Sequence, residues 1–325
     1  MKVLVTGATG FLGKYVLQEL VAHGYEVVAF GRNEAVGKAL ATEKITFVKG
    51  NFISYPQIYR ALEGVDAVVH AGALSTVWGT WNDFYQTNVV GTENVLKASL
   101  AQGIKKLIFI SSPAIYAVPK DQLDISENEA PATNDLNFYI RSKLLAEAKL
   151  KEYRKLPSVI LRPRVLFGVG DPSIIPRLLK LHRTIGLPLF NDGQQVIDVT
   201  CVENVALAVR LSLENPLSVG QTYNITNGEP LPFKDILDQL LAELNLQQKY
   251  LVLNYPLMYS FASGLEKSYR FFRMKREPLL TKYMIYLLRY SQTLSIERAQ
   301  RELDYQPKIT ISEGIKNYAS HHRAH

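Results

Sequence analysis

Short runs of apolar, β-branched residues alternate with segments of helical periodicity through the first two thirds of the chain. The runs predict strands at residues 3–6, 27–30, 45–48, 67–70, 107–111, 159–162 and 222–225. Between the first two, Val16, Leu17 and Leu20 recur at helical spacing, and Gly24 is placed to end that helix. This alternation predicts an α/β fold, with a doubly wound parallel sheet covered by helices on both faces.

A glycine-rich turn, Gly-Ala-Thr-Gly-Phe-Leu-Gly at residues 7–13, joins the first predicted strand to the first predicted helix. Gly7 would permit the tight turn, Gly10 the approach of a pyrophosphate to the backbone, and Gly13 the close packing of helix on strand. Free N–H groups at the helix N-terminus favour phosphates. The pattern therefore predicts a Rossmann dinucleotide-binding fold. The cofactor contacts expected here are Gly7, Thr9, Gly10, Phe11, Leu12 and Gly13.

The end of the second predicted strand bears on the choice of cofactor. NAD-binding proteins often carry an acidic residue there for the ribose hydroxyls, whereas this strand ends Phe-Gly-Arg-Asn at residues 30–33. The guanidinium of Arg32 is suited to pair with a 2′-phosphate. We therefore expect NADP, with NAD as the alternative in which Arg32 stacks on adenine or points to solvent.

The strand–helix alternation loosens after residue 170. Residues 200–203 (Thr-Cys-Val-Glu) match a capping box that would open a helix, and beyond the last predicted strand the periodicity is mainly helical. We expect a dinucleotide-binding domain and a smaller, mainly helical C-terminal substrate lobe over the ends of the strands. The expected divisions are residues 1–170 with 196–228, and residues 171–195 with 229–325.

Tyr139 and Lys143 are four residues apart in a stretch of helical periodicity, so they should lie on one helix face, one turn apart. A free tyrosine has a pKa of about 10 and is a poor base near neutrality. A nearby ammonium and an oxidised nicotinamide would lower that pKa by stabilising the phenolate. Ser111 and Ser112 end an earlier strand, where a hydroxyl could hold the substrate oxygen. The arrangement predicts hydride transfer at a carbonyl carbon.

With these motifs the sequence resembles the extended short-chain dehydrogenase/reductase family, in the NAD-dependent epimerase/dehydratase superfamily, over nearly its whole length. The matching segments are residues 6–13, 72–73, 88–92, 111–116, 139–143, 162–164, 167–171, 198–206 and 220–229. The resemblance implies that Tyr139 is the acid/base, that Lys143 binds the nicotinamide ribose and that Ser112 holds the substrate oxygen. Ser111 would lie closer to the cofactor, and Asn51 stands where the family carries an acidic residue near adenine. The further cofactor contacts implied are Phe52, Ala71, Gly72, Ala73, Asn88 and Pro163.

Within that family, residues 193–204, 223–229 and 277–306 look most like one branch. It contains 3β-hydroxysteroid dehydrogenases, sterol-4-carboxylate dehydrogenases and bacterial 2-alkyl-3-oxoalkanoate reductases. This implies an oxidoreductase acting on a 3-oxo or 3-hydroxy group of an apolar substrate, such as a 3-oxo fatty acid or a 3β-hydroxysteroid. The aromatic residues 255–272 either line the site of such a substrate or form only the core of the lobe. Trp78 and Arg164 are candidate substrate residues; Arg164 would hold a carboxylate or pair with a neighbouring acid.

A nucleotide-sugar epimerase or dehydratase on the same scaffold is the main alternative. Sugar dehydratases of this family follow the catalytic hydroxyl with an Asp-Glu pair, whereas Ser112 is followed by Pro113 and Ala114. Sugar-nucleotide enzymes often carry an arginine for the diphosphate just before the position of Asp198, and this chain has Ile197. A non-catalytic dinucleotide sensor is a lesser alternative, since regulatory members of the family lack the Tyr/Lys pair.

The net charge of +7 is concentrated in residues 256–290, where seven basic residues stand against two acidic ones, a local balance of +5. This favours a solvated helix face, or a peripheral membrane contact through residues 255–290, over binding to nucleic acid. No metal site is expected, because the sequence places no carboxylate or cysteine at ligand spacing from His321, His322 and His325.

Cys201 is the single cysteine, and no apolar run is long enough to cross a membrane. Both observations favour the cytoplasm, with contact at the inner membrane face as the variant that the basic stretch suggests. Self-association as a homodimer stays open.

Overall fold

The computed structural model describes residues 1–274 and 276–324. Lys275 of the basic stretch and His325 of the C-terminal histidine cluster lie outside the described residues. The strands in this part of the chain are β1 (Lys2–Thr6), β2 (Glu26–Gly31), β3 (Ile45–Lys49), β4 (Ala67–His70), β5 (Lys106–Ile110), β6 (Gln122–Ile125), β7 (Ser158–Pro163), β8 (Leu166–Phe167), β9 (Leu187–Leu189), β10 (Val196–Ile197), β11 (Thr200–Cys201), β12 (Thr222–Ile225), β13 (Leu231–Pro232), β14 (Tyr250–Val252) and β15 (Gln292–Leu294).

The α-helices in the same residues are α1 (Phe11–Ala22), α2 (Glu34–Leu40), α3 (Tyr55–Ala61), α4 (Trp81–Phe84), α5 (Gly91–Ala101), α6 (Phe138–Glu152), α7 (Ile174–Thr184), α8 (Val202–Glu214), α9 (Phe233–Glu243), α10 (Tyr255–Phe271), α11 (Lys282–Arg289), α12 (Glu297–Leu303) and α13 (Ile311–Ala324). Short 3-10 helices cover Pro113–Tyr116, Glu127–Glu129, Asn191–Gly193 and Pro216–Ser218. A π-helix, Tyr85–Val90, joins α4 to α5 without a break.

Seven strands form one parallel sheet in the order β12-β7-β5-β4-β1-β2-β3. This confirms the fold class predicted from the sequence, and each predicted strand lies within one residue of its expected bounds. The central strands are buried because helices cover both faces of the sheet, and for that reason their sequences are continuous apolar runs. The order reverses between β1 and β4, so the loops after these strands border a crevice of the kind in which such sheets bind ligands.

Two apolar cores lie on the two faces of the main sheet. On one face, α1 and α8 contribute Val16, Leu17 and Val205. On the other face, α3, α5 and α6 contribute side chains that include Ile58 and Leu96. These helices fix the positions of the loops at the carboxyl ends of the strands.

The helix predicted to follow residue 200 is α8, but the capping box expected there does not form. Cys201 is the N-cap of α8, and its side chain makes no capping hydrogen bond. The Thr200 hydroxyl instead donates to the carbonyl oxygen of Arg164 and lies 3.3 Å from that of Ile225. Thr200 lies in the short strand β11, and its hydroxyl bonds to these backbone carbonyl oxygens instead of capping the helix.

A second, smaller sheet has the order β13-β10-β15-β6, and two further strand pairs are β11–β8 and β14–β9. Helices α7 and α11 contact β9, helix α9 contacts β13, and α10 contacts α11, so this part of the chain is mainly helical. The chain then returns to the main sheet, where apolar side chains of residues 296–305 pack in the same core as α1 and α8.

None of the helices in the described residues is long and apolar enough to cross a membrane. The same residues include no group of His, Cys, Asp and Glu side chains that could hold a metal ion. Cys201 is buried in an apolar cluster with Phe167, Ile175 and Ile315.

Candidate active site

The glycine turn after β1 leaves room that only glycine allows. Gly7 has a positive φ of 69°, and a Cβ on it would lie 2.8 Å from the Cα of Gly72. A Cβ on Gly13 would lie 2.3 Å from the carbonyl oxygen of Gly7 and 2.7 Å from the Cα of Ala8. The N-terminus of α1 therefore starts directly against the turn, with Gly10 as its N-cap. Its first N–H groups point out of the sheet edge, and the cradle fits the pyrophosphate of a dinucleotide.

The predicted site residues come together at the carboxyl edge of the main sheet. The glycine turn follows β1, Arg32 follows β2, residues 51–52 follow β3, residues 71–73 follow β4, residues 111–112 follow β5, and Arg164 follows Pro163, the last residue of β7. The residues that the sequence singled out on separate strands thus border one crevice. Trp78 lies farther out in the loop after β4, where its indole N–H donates to the carbonyl oxygen of Met274 (3.1 Å). This contact joins the loop to the lobe.

A cavity of about 290 Å³ lies beyond β2 and β3, lined by Arg32, Lys49, Gly50, Asn51 and Gln57. Arg32 is exposed, and Lys49 forms an ion pair with Glu34 (2.7 Å). Hydrogen bonds from Lys49 and Lys38 hold the pKa of the Glu34 carboxyl at about 2. The Asn51 side chain accepts from the backbone N–H of Ile53 and so fixes its own loop. The cavity is thus bordered by two cations.

Asn88 ties three segments together below the crevice. It lies in the π-helix, a feature frequent at functional sites. Its side chain exchanges hydrogen bonds with the backbone of Leu74 (2.7 and 3.0 Å) and donates to the hydroxyl of Ser142 (2.9 Å). Asn88 therefore positions the loop after β4 against the helix that carries Tyr139.

His70 is a buried structural residue. Its Nδ1 lies 2.7 Å from the Thr6 hydroxyl and its Nε2 lies 3.0 Å from the Thr92 hydroxyl. Thr6 also accepts the backbone N–H of Gly72. Burial, with a smaller contribution from the charge of Lys143, lowers the pKa of His70 to about 3, so the ring is neutral. It locks the turn after β4 rather than moving protons.

Tyr139 lies in the first turn of α6, a helix that Asn137 caps through a hydrogen bond to the N–H of Ile140. The Tyr139 hydroxyl is hydrogen-bonded to Ser112. Ser112 is held in place because its hydroxyl caps the following 3-10 helix by accepting from Ala114 (3.2 Å). Burial raises the pKa of Tyr139, and the hydrogen bond with Ser112 offsets part of this effect. In the protein alone burial dominates, so the lowered pKa expected from the sequence is not found there.

Lys143 lies one turn after Tyr139 and is buried. Its ammonium donates to the carbonyl oxygen of Ile110 (2.7 Å) and stands 4.3 Å from the centre of the Phe109 ring. Burial lowers the pKa of Lys143 to about 7, and the charge of Glu147 opposes this shift. The predicted pair therefore shares one helix face, with Lys143 held at the end of β5.

A buried ionic network behind Lys143 was not predicted from the sequence. Ser111 donates to the carboxylate of Glu147 (2.5 Å), and Arg162 binds the same carboxylate with two donors (2.6 and 3.0 Å). Arg162 also donates to the carbonyl oxygen of Glu127 (3.0 Å). Ser111, expected near the cofactor, thus uses its hydroxyl to anchor α6 to the end of β5. The only sign of this network in the sequence is Glu147, an acidic residue one helical turn after Lys143.

The aromatic wall beside Tyr139 comes from α11. Tyr283 and Tyr286 pack in one cluster with Tyr139, Ala114 and Ile140, and their rings stack at 6.1 Å. From the sequence, residues 255–272 could either line the substrate site or form only the core of the lobe; in the structure α10 exposes several of its apolar side chains. Helical spacing of Tyr283, Tyr286 and Tyr290 was the overlooked signal.

A dinucleotide-binding sheet whose edge carries a hydrogen-bonded Ser/Tyr pair and a buried lysine one turn away defines an NAD-dependent oxidoreductase of the short-chain dehydrogenase type. The chain belongs to the NAD dependent epimerase/dehydratase family, whose model matches residues 3–226.

Relatives of known name span almost the whole chain. It is 33% identical to a 2-alkyl-3-oxoalkanoate reductase of Stenotrophomonas maltophilia, over 97% of this chain and 98% of that protein. It is 27% identical to the decarboxylating sterol-4-alpha-carboxylate 3-dehydrogenase of Homo sapiens, over 96% of this chain and 86% of that protein. The crystal structure of UDP-glucuronic acid 4-epimerase from Bacillus cereus in complex with NAD matches the fold with a TM-score of 0.80, at 22% identity over 100% of this chain and 99% of that one.

Proposed function

We propose that this protein is an NADP(H)-dependent oxidoreductase that interconverts a 3-oxo and a 3-hydroxy group on an apolar substrate. The observation that carries the proposal is the Tyr139 hydroxyl, which is bonded to Ser112 and packed among the side chains of Ala114, Ile140 and Tyr283. A carbonyl oxygen held by the two hydroxyls would have apolar and aromatic neighbours. Two relatives are named as enzymes acting on an oxoalkanoate and on a sterol carboxylate, which supports this class of substrate.

In the direction of reduction, Tyr139 would give its proton to the carbonyl oxygen while Ser112 holds that oxygen as negative charge develops. The raised pKa keeps the Tyr139 phenol protonated at neutral pH, which is the form a general acid needs. Lys143 would bind the ribose hydroxyls through its ammonium. The nicotinamide, when bound, supplies or accepts the hydride.

Substitution of Tyr139 tests this mechanism. Tyr139→Phe should keep cofactor affinity and lose turnover by several hundred-fold, because it removes only the proton, and general acid–base catalysis supplies about 10²–10⁴-fold. Tyr153→Phe is a matched control at the C-cap of the same helix, where the hydroxyl donates to Glu93. Lys143→Met should reduce kcat and raise the KM for cofactor. Near-normal turnover of Tyr139→Phe would contradict the mechanism.

The choice of NADP is supported by the cavity beyond β2 and β3. Arg32 has no acidic partner among the described residues, and Lys49 borders the same space. A 2′-phosphate there would meet both cations. Arg32→Ala should weaken NADPH and leave NADH nearly unchanged in fluorescence titrations, with Arg60→Ala on α3 as the exposed control. An equal loss of affinity for NADPH and NADH would mean that Arg32 stacks on adenine and would favour NAD as the cofactor.

Varying the number of carbons in the substrate tests whether the substrate is apolar. The lobe, for which we propose residues 171–195 and 229–325, would cover the substrate with the α11 tyrosines. Each buried methylene contributes about 0.8 kcal/mol, or roughly fourfold in kcat/KM. We expect kcat/KM to climb with carbon number in a series of 3-hydroxy acids. A flat profile, or activity only with a UDP-sugar, would overturn the apolar-substrate reading.

We also propose that α10 and the segment after it touch an anionic membrane surface. Phe271, Phe272 and Leu279 are 81%, 71% and 88% exposed, and exposed basic side chains, including Lys267 and Arg273, surround them. Apolar side chains rimmed by cations suit a lipid interface. The double variant Phe271→Ser/Phe272→Ser should lose co-sedimentation with phosphatidylglycerol vesicles, whereas Leu217→Ser, on another face, should not.

We also propose that a second copy of this chain is a partner, in a homodimer. Leu100 on α5 and Leu145 on α6 are exposed on neighbouring helices, which supports an apolar contact between two copies. Sedimentation velocity should then give the mass of two chains for the native protein and of one chain for Leu100→Glu. A native monomer would contradict this.

A further inference from the structure

Arg164 is a buried cation whose side chain has no partner among the described residues. It follows β7 at the carboxyl edge of the main sheet and is 4% exposed. Its Nε is buried and unbonded, and the guanidinium makes no hydrogen bond or ion pair with any described residue. Arg162, two residues earlier, is equally buried but binds Glu147 with two donors. Buried charges in proteins are normally paired, so the Arg164 guanidinium needs an anion that the chain itself does not provide.

Asp198, an acidic group that interacts with Arg164, is already engaged. Asp198 acts on Arg164 electrostatically, but its carboxylate accepts the backbone N–H of Leu294 (2.7 Å) and forms no ion pair. Burial raises the pKa of Asp198 to about 6, because the Leu294 hydrogen bond and the Arg164 charge offset only part of the desolvation. Pairing with a neighbouring acid, one of the two roles open to Arg164 from the sequence, is therefore not realised.

Arg164 lies near side chains that pack around the catalytic tyrosine. Tyr283 interacts electrostatically with both Arg164 and Tyr139, so its phenol lies near both. Tyr286 interacts with Arg164 as well, from the next turn of α11. The guanidinium is thus close to the two tyrosines of α11 that also pack in one cluster with Tyr139.

We propose that Arg164 binds the carboxylate of the substrate, so that the enzyme acts on a 3-hydroxy or 3-oxo acid with an apolar chain. This inference rests on the proposed function. A guanidinium offers two parallel donors that match a carboxylate. With the carboxylate on Arg164 and the reacting oxygen on Tyr139 and Ser112, two anchors fix one end of the substrate, and the chain extends along the aromatic wall. In reduction the C3 carbon receives a hydride from the reduced nicotinamide, the Tyr139 phenol gives its proton to the carbonyl oxygen, and the carboxylate is unchanged; oxidation is the reverse of this step.

The first experiment compares 3-hydroxydodecanoic acid with its methyl ester as substrates for NADP⁺ reduction. The acid should exceed the ester in kcat/KM by about 10- to 100-fold, as expected for a hydrogen bond to a charged group. In Arg164→Met this ratio should fall to near one through loss of acid turnover, while the ester rate stays. Arg164→Lys, which keeps the charge but loses the two-donor fork, should fall between. Arg154→Met on the exposed surface is the control and should keep the native ratio.

A binding measurement keeps the test independent of catalysis. Dodecanoic acid should bind the wild-type protein in isothermal titration calorimetry at least tenfold more tightly than dodecan-1-ol, and Arg164→Met should bind the two alike. A thermal unfolding scan checks that the variant is folded. Equal acid-to-ester ratios in the wild type and Arg164→Met would overturn the carboxylate site and leave the oxidoreductase standing. Turnover of neither acid nor ester, with no preference for dodecanoic acid, would overturn both.

Discussion

The buried charge of Lys143 lowers the free energy of unfolding of the protein, and the size of this effect follows from the pKa of Lys143. The ordinary pKa of lysine is 10.5, and burial lowers that of Lys143 to about 7. At 1.36 kcal/mol per pH unit, this difference corresponds to about 5 kcal/mol between the two protonation states. A methionine has a similar length and no charge. It would lose the hydrogen bond to the carbonyl oxygen of Ile110, which costs about 1–3 kcal/mol if that oxygen stays unpaired.

The sign of the pH dependence follows from proton binding. Below pH 7 Lys143 is charged in both the folded and the unfolded chain. Between pH 7 and 10.5 only the unfolded chain binds this proton, so the contribution of Lys143 to the free energy of unfolding rises with pH. We therefore expect Lys143→Met to be more stable than the wild type by about 2–4 kcal/mol at pH 6. That advantage should shrink by about 4 kcal/mol between pH 7 and 10.

Urea unfolding followed by circular dichroism, at pH values from 6 to 10, gives the difference between the two proteins. Other groups titrate in both chains and cancel, so the difference isolates Lys143. Lys38→Met is the control, because Lys38 is exposed and its ion pair with Glu34 raises its pKa. A difference between Lys143→Met and the wild type that stays constant across this range would refute the reasoning.

Three further substitutions have expected outcomes. Ser112→Ala should lower kcat by about 10²–10³-fold, as loss of an oxyanion donor does, with no change in the dissociation constant for NADPH measured by fluorescence; an unchanged kcat would exclude this role. Gly13→Ala should abolish NADPH binding in the same titration, because its Cβ would lie 2.3 Å from the Gly7 carbonyl oxygen; native affinity would show that the turn can shift. Arg162→Met should lower the free energy of unfolding in urea by about 3–5 kcal/mol, because it leaves the Glu147 charge buried and unpaired. Adding Glu147→Gln should restore part of that loss, and no restoration would mean that the network does not act as a pair.

The strands and the edge of the sheet could be predicted because their physical causes are local. Strands covered on both faces must be continuously apolar, and a glycine turn between strand and helix has few other uses. Glu147 could not be predicted as buried, since an acidic residue on a helix is usually solvated and its partner Arg162 lies on a separate strand. The composition of residues 255–272 was equally ambiguous. It shows that the segment is apolar, but only the packing of α10 decides which side chains face solvent.

The return of the chain to the main sheet has a consequence for how the protein is made. Tyr305 is fully buried, donates to the carbonyl oxygen of Thr226 (2.9 Å) and shares one apolar core with Val3 and Val5 of the first strand. Synthesis delivers those valines hundreds of residues before their partner, at about 5–20 residues per second. At these rates, one face of the first strand stays incompletely covered for up to tens of seconds after its synthesis. During that interval the uncovered apolar face of β1 is open to premature association, and ribosome-associated chaperones would be expected to engage there.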